Sequence, residues 1–278
     1  MCRADGKFGT NSASKKQIIR YKQGAFQKNA EDVVVQEVPV ALEYNGIAYT
    51  VMMCTPIDLE FFAVGFSVTE GIIDHDRDIH NIEIQEDAEG ITLSVEIANR
   101  CISRLKEKRR SLMGVTGCGI CGAEQLNGVR RCVTPVADST RFDIEKLDPV
   151  LIQLNEKQSL NQQTGASHAA AYIDVDGNIQ AVFEDVGRHI ALDKLIGWIL
   201  RHHCSQGAVL VTSRASFEMV QKVAVCGIEI LLAVSAATHM AIELAERMNI
   251  TLCGYCRPGK ANIYTHGSRI TDNHVVNH

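Results

Sequence analysis

Two thiols two residues apart, each with a glycine on its outer side, make Gly117-Cys118-Gly119-Ile120-Cys121-Gly122 the most reactive-looking stretch of this chain. A thiol in such a pair can have its pKa drawn down to about 7 or lower, which gives thiolate, the nucleophilic form, at neutral pH. The glycines permit positive φ and close backbone approach, so a loop of this kind can present its sulfur to different partners with little strain. The same pair is also half of a tetrahedral zinc site, and Cys253-Gly254-Tyr255-Cys256 supplies a second pair that would complete a set of four thiolate ligands. Against zinc, the residues around Cys253 read as the end of a buried strand, where free cysteine behaves as a small hydrophobe. Cys54, Cys101, Cys132, Cys204 and Cys226 stand alone and read as core or incidental thiols.

Other groups gather at loops. Glu184-Asp185-Val186-Gly187-Arg188-His189 brings two carboxylates, a guanidinium and an imidazole to one junction. That set can do acid-base work or grip a polar ligand. Equally, Asp185 can cap a first helical turn while Arg188 forms an ion pair. His168, in Gly165-Ala166-Ser167-His168, is either a ligand-facing imidazole or a satisfied structural one. Ser213-Arg214-Ala215-Ser216 and Arg257-Pro258-Gly259-Lys260 each set a cation among small residues, a composition that receives phosphate through charge and backbone N–H donors. Neither matches GxxxxGK[ST], so a nucleotide hydrolase is not indicated. Lys106-Glu107-Lys108-Arg109-Arg110 is a docking patch or a solvated helix face, and the lack of interleaved aromatics argues against nucleic acid.

These groups need elements to hold them. Asn45-Gly46 between β-branched runs predicts a hairpin over Val33 to Cys54. Thr55-Pro56 then offers a cap and a first-turn proline for a helix carrying Leu59, Phe62, Ala63 and Phe66. Ile79 to Gln85 and Ile91 to Ile97 read as a second hairpin, and Arg100 to Met113 as a basic helix. Gly114 to Leu126 has no apolar period and predicts an irregular loop. After a helical stretch near Ile144 to Leu154 come a hairpin turning at Asp176-Gly177 and then alternating helices and strands to Ile263. Such alternation implies an α/β layered sheet with helices on both faces, whose ligands bind beyond the carboxyl ends of the strands. The expected organisation is a flexible polar arm over 1–32, an α+β N-terminal domain over 33–126 ending in the CxxC loop, and an α/β domain over 127–278.

With 28 Lys+Arg against 33 Asp+Glu, a formal charge of −5 excludes a wholly basic nucleic-acid coat. Hydrophobic residues at 46 % and only 5 prolines exclude disordered and collagen-like classes. A chain of 278 residues builds a core without staples, so its 10 cysteines need another explanation. The first thirty residues hold no apolar run, and Val223 to Ala237 carries Glu229 and is shorter than the ~20 residues a bilayer span requires. A cytoplasmic protein without membrane association is expected.

Taken together, Thr116 to Gly122, Thr164-Gly165 with His168 to Ala171, Glu184 to His189 running into Ala191-Leu192-Asp193-Lys194, Ser213 to Ser216 and Cys256 to Lys260 resemble the FdhD/NarQ family of sulfur carriers. The resemblance extends from about Glu37 to His266. It implies a sulfurtransferase that moves persulfide sulfur from a cysteine desulfurase to the molybdenum cofactor, bis(molybdopterin guanine dinucleotide), destined for formate dehydrogenase. Cys118 would match the persulfide-bearing cysteine and Cys121 its companion. Tyr255, Cys256, Arg257, Pro258, Gly259 and Lys260 would match the cofactor-binding segment, with Ser213, Arg214, His168, Asp185 and His189 contributing. The resemblance also implies a cytidine-deaminase-like core in the C-terminal half, guanine nucleotide (GDP) as a stand-in ligand, a homodimer, and no metal held by the chain itself. The HxE and PCxxC pattern of zinc deaminases is not present.

Overall fold

The structure, a computed structural model, describes residues 11–113 and 134–272. Where a polar arm is expected, the chain instead forms a hairpin of β1 (Ala13–Lys22) and β2 (Ala25–Val35). Gln23 and Gly24 take φ of +49° and +85°. Two left-handed central residues make the turn that matches strand twist. Gln23 lacks the asparagine or aspartate signature, which is why the turn is not evident in the sequence. The ladder also slips between Ile18 and Arg20.

The expected Asn45-Gly46 turn joins β3 (Val38–Tyr44) to β4 (Ile47–Cys54), with φ of +49° and +74°. Helix α1 (Leu59–Thr69) follows. Its N-cap is Asp58, in left-handed conformation and without a side-chain cap bond, rather than Thr55. Strands β5 (Ile79–Glu86) and β6 (Ile91–Ile97) then complete a four-stranded sheet in the order β4-β3-β6-β5. Val40, Leu42, Tyr44, Leu93 and Val95 alternate onto one face and bury Phe62 and Phe66 of α1. Each such aromatic contributes roughly 1.5–3 kcal/mol by leaving water. Helix α2 (Ile102–Met113) closes this half.

The second half begins with a short strand, β7 (Phe142–Asp143), and helices α3 (Leu147–Lys157) and α4 (Ser159–Thr164). A hairpin of β8 (His168–Ile173) and β9 (Ile179–Asp185) leads into α5 (Arg188–Arg201). The chain continues through β10 (Ala208–Val211), α6 (Phe217–Val225), β11 (Ile230–Ala233), α7 (His239–Arg247), β12 (Thr251–Arg257) and β13 (Lys260–Thr265). The last strand, β14 (Ile270–Thr271), pairs with β7.

Six strands form a mixed sheet in the order β13-β12-β11-β10-β8-β9, with β10, β11 and β12 mutually parallel. Ala-Val-Leu-Val and Ile-Leu-Leu-Ala are apolar throughout because both faces are covered. Val209, Val211, Leu231, Ala233 and Leu252 pack under α5, α6 and α7, while Leu210, Leu232 and Cys253 pack against Val150 and Leu154 of α3. The expected two-faced layer is present. Helices α1 and α5 join the halves, crossing where a Cβ on Gly65 would strike the Asp193 carbonyl and one on Gly197 the Phe61 carbonyl.

Candidate functional site

The sheet decides where a ligand can sit. Strands β9 to β12 deliver their carboxyl ends to one edge, and β8 starts there, His168 opposite Asp185 in register. Backbone pairing continues past the strand ends. Val234 N donates to Val211 O at 2.9 Å, Ala215 N to Ala236 O, Thr238 N to Ala215 O and Tyr255 N to Ser235 O, each at 3.0 Å. A rim of main chain results, from which α5, α6 and α7 begin.

The first N–H groups of a helix have no intrahelical acceptor, and they carry partial positive charge. Thr238 caps α7 by accepting from Ala241 N. Gly187 and Ser216, the N-caps of α5 and α6, make no side-chain cap bond. Ser216 Oγ and Arg188 Nε are buried and have no hydrogen-bond partner among the described residues. Buried polar atoms are rarely left unmatched, so this pair of donors at two open helix starts fits an anion. Arg214, after β10, and Arg257 and Lys260, at the β12–β13 turn, are exposed. Lys260 Nζ stands 5.7 Å from the centre of the Tyr255 ring.

His189 Nε2 lies 2.6 Å from Glu218 Oε2, which joins the first turns of α5 and α6. Burial lowers the His189 pKa; Arg188 and Lys222 act the same way, and Glu218 opposes them. Burial also lowers the His168 pKa, with Arg188 adding to it. Both shifts favour the neutral imidazole, a form able to donate and accept one hydrogen bond.

The structure places Asp185 beneath the rim rather than on it. Its carboxylate is fully buried: Oδ2 accepts from Lys194 Nζ at 2.7 Å and Thr55 N at 3.0 Å, and Oδ1 accepts from Gly187 N at 2.9 Å. Lys194 Nζ also donates to Thr55 O at 3.1 Å, and Val186 N to Thr55 Oγ1 at 3.2 Å. Glu184 does framework work as well, accepting at 2.8 Å from each of Leu160 N, Asn161 N and Ser167 Oγ to cap α4. The alternative ion pair for Arg188 is not found among the described residues.

Ser213 is buried, its Oγ donating to Arg214 O at 3.1 Å. Cys256 is also buried, and burial pushes its thiol up to about 11, partly offset by the Ala233 N–H. Tyr255 has φ +51°, and the β12–β13 register breaks across it. That bulge turns Cys256 to the same core as Cys253, whose reading as a buried strand residue agrees with its position. Pro258 and Gly259 sit at the exposed turn, where Gly259 has φ +68° and its N–H donates to Asp148 Oδ1 at 2.8 Å.

Sequence reasoning passes over Asp148 and Glu218, and reads Thr55 as a helix cap rather than a partner of Asp185; their partners lie 111, 29 and 130 residues away. No local spacing signals them. Cys118 and Cys121 lie outside the described residues, as does Cys132. Among the described residues, no group of three or more His, Cys, Asp or Glu is placed to hold a metal ion, and no helix is long and apolar enough to cross a membrane.

Comparison with known proteins yields a family and a fold. A family model, FdhD/NarQ, matches residues 35–271. Among solved structures, the chain is similar to a crystal structure from Desulfotalea psychrophila of a protein provisionally described as a formate dehydrogenase accessory protein. The TM-score is 0.74 at 25 % identity, over 94 % of this chain and 100 % of that one.

Proposed function

This chain belongs to the FdhD/NarQ family, and from that premise we propose that it serves formate dehydrogenase maturation by carrying persulfide sulfur from a cysteine desulfurase to the molybdenum cofactor. The observation that carries the ligand half of this reading is the rim: Arg188 Nε and Ser216 Oγ buried and unmatched at two uncapped helix starts. Arg214, Arg257 and Lys260, exposed on loops at the same sheet edge, supply charge for the pyrophosphates of bis(molybdopterin guanine dinucleotide), and GDP presents the same chemistry. His168 and His189 offer imidazole edges for hydrogen bonds. Asp185 acts from below, by fixing the backbone from Asp185 to Gly187.

The sulfur step falls to the CxxC pair. The Cys118 thiolate attacks the outer sulfur of the desulfurase persulfide; the donor S–S bond breaks, the donor cysteine leaves as thiolate, and Cys118 becomes Cys–S–SH. Attack by Cys121 thiolate on the Cys118 sulfur then releases hydrosulfide toward the cofactor. The Cys118–Cys121 disulfide left behind is returned to two thiols by a cellular dithiol reductant.

Incubation with a cysteine desulfurase and cysteine, followed by intact-mass measurement, tests the carrier step. The expected result is a gain of whole sulfur atoms, removed by reductant and absent from the Cys118→Ala/Cys121→Ala variant. GDP titration tests the rim, and Arg257→Ala with Lys260→Ala should weaken binding at least about tenfold. No sulfur adduct on the wild type would overturn the carrier reading.

A further inference from the structure

Below the rim, α5 and α6 are fastened by two side-chain contacts one turn apart. The upper one is His189 Nε2 to Glu218 Oε2 at 2.6 Å. In the lower one Lys222 Nζ donates to both oxygens of Asp193, at 2.8 and 2.9 Å. His189 and Asp193 on α5 are one turn apart, as are Glu218 and Lys222 on α6, so both contacts lie along one seam between the helices. Arg188 and Ser216, whose Nε and Oγ are the unmatched donors at the rim, come just ahead of the upper contact in each helix. The seam therefore governs the distance between those two donors.

The lower contact reaches a third helix. Thr69, the last residue of α1, donates through Oγ1 to Asp193 Oδ1 at 2.8 Å and accepts from Lys222 Nζ at 2.9 Å. Hydroxyl, carboxylate and ammonium close a ring in which each is bonded to the other two, and all three residues are buried. Lys222 Nζ also lies 3.8 Å from Glu70 and 5.9 Å from the centre of the Phe66 ring, both at the end of α1. Apolar side chains of the same volume often hold helices together as firmly, whereas a closed hydrogen-bonded ring accepts only one relative placement. At 1.5 Å per residue, Asp193 and Lys222 sit roughly 7–9 Å down their helices from the donors, so they act on the rim through the helices and not by touching what it holds.

We infer that Thr69, Asp193 and Lys222 are positioning residues for an oxyanion held at the starts of α5 and α6, and that through Thr69 the N-terminal half of the chain sets the oxyanion affinity of the C-terminal sheet. This rests on the anion reading of the rim and not on the sulfur step. Linkage makes the effect reciprocal: an anion bound at the rim favours the same placement of α1.

Calorimetric titration of the full chain with inorganic pyrophosphate tests it. Thr69→Val keeps the shape of the side chain and removes its hydroxyl, and should weaken pyrophosphate binding at least about fivefold. Thr69→Ser keeps the hydroxyl and should stay close to wild type. Asp193→Asn, which removes the charge and keeps the shape, is a second route to the same loss if Thr69→Val does not fold; circular dichroism at the titration temperature confirms the fold of each variant. Ser216→Ala, which removes a donor from the rim itself, should weaken binding whether or not the ring matters. Wild-type binding that Ser216→Ala weakens but Thr69→Val and Asp193→Asn leave unchanged overturns the inference while the rim reading stands. An equal loss in Thr69→Ser also overturns it, since the hydroxyl is then not responsible. A wild type that does not bind pyrophosphate removes the rim reading and the inference with it.

Discussion

Lys194 Nζ lies 2.7 Å from Asp185 Oδ2, and neither side chain reaches solvent. Through Thr55, whose N–H and carbonyl both bind this pair, one ionic contact ties the segment before α1 to the end of β9 and the start of α5. Removing one member strands the other charge in the interior. Asp185→Ala should destabilise the protein by about 3–5 kcal/mol, read from denaturant midpoints, while Asp185→Leu with Lys194→Met recovers most of that loss. A single-variant cost below about 1 kcal/mol would show that the pair does not hold the junction.

The His189–Glu218 contact gives a titration test. Burial holds His189 below its ordinary pKa of 6.5, and Glu218 pulls the other way. Protonation is therefore disfavoured in the folded protein, so this residue's share of stability is complete above 6.5 and is lost as pH falls through the lower folded value. NMR of the imidazole should find the midpoint below 6.5, and Glu218→Gln should move it lower still. A midpoint that rises in the variant would contradict the assignment.

At the α1–α5 crossing there is room for hydrogen only. Gly197→Ala would put a methyl on the Phe61 carbonyl, and backbone cannot yield as a side chain does. Overpacking of this kind costs typically about 1–3 kcal/mol. Thermal unfolding should show at least that loss, and Gly259→Ala, whose Cβ would meet open space but whose φ is +68°, should cost less.

Glu229 provides the acid limb. Although burial raises its pKa, bonds from Ser139 Oγ, Thr140 N and Ser139 N together with Arg269 leave it below the ordinary 4.5. A depressed carboxylate stabilises above its unfolded pKa and stops doing so as pH falls through the folded one. Glu229→Gln should lose about 1.5–3 kcal/mol at pH 7, and the gap to wild type should close below pH 4.5. A gap that persists undiminished at lower pH would sink this account.

Local chemistry made much of this architecture readable beforehand. Asn45-Gly46 specified its turn, and apolar runs such as Ala208–Val211 specified strands covered on both faces. The rim loops follow from the rule that ligands gather beyond strand ends. Long-range partners were not readable: nothing near Thr55 says that it binds Asp185 rather than capping α1, and nothing near Glu184 says that it caps α4. The Tyr255 bulge was hidden too, because a CxxC on a regular strand points its thiols to opposite faces.

The main-chain pairing that runs beyond β10 and β11 has one more consequence. Since peptide groups rather than side chains shape the ledge, residues such as Arg214 and Arg257 can be exchanged without dismantling what they stand on. Ligand preference becomes a matter of swapping ornaments on a fixed shelf, open both to natural drift and to deliberate redesign.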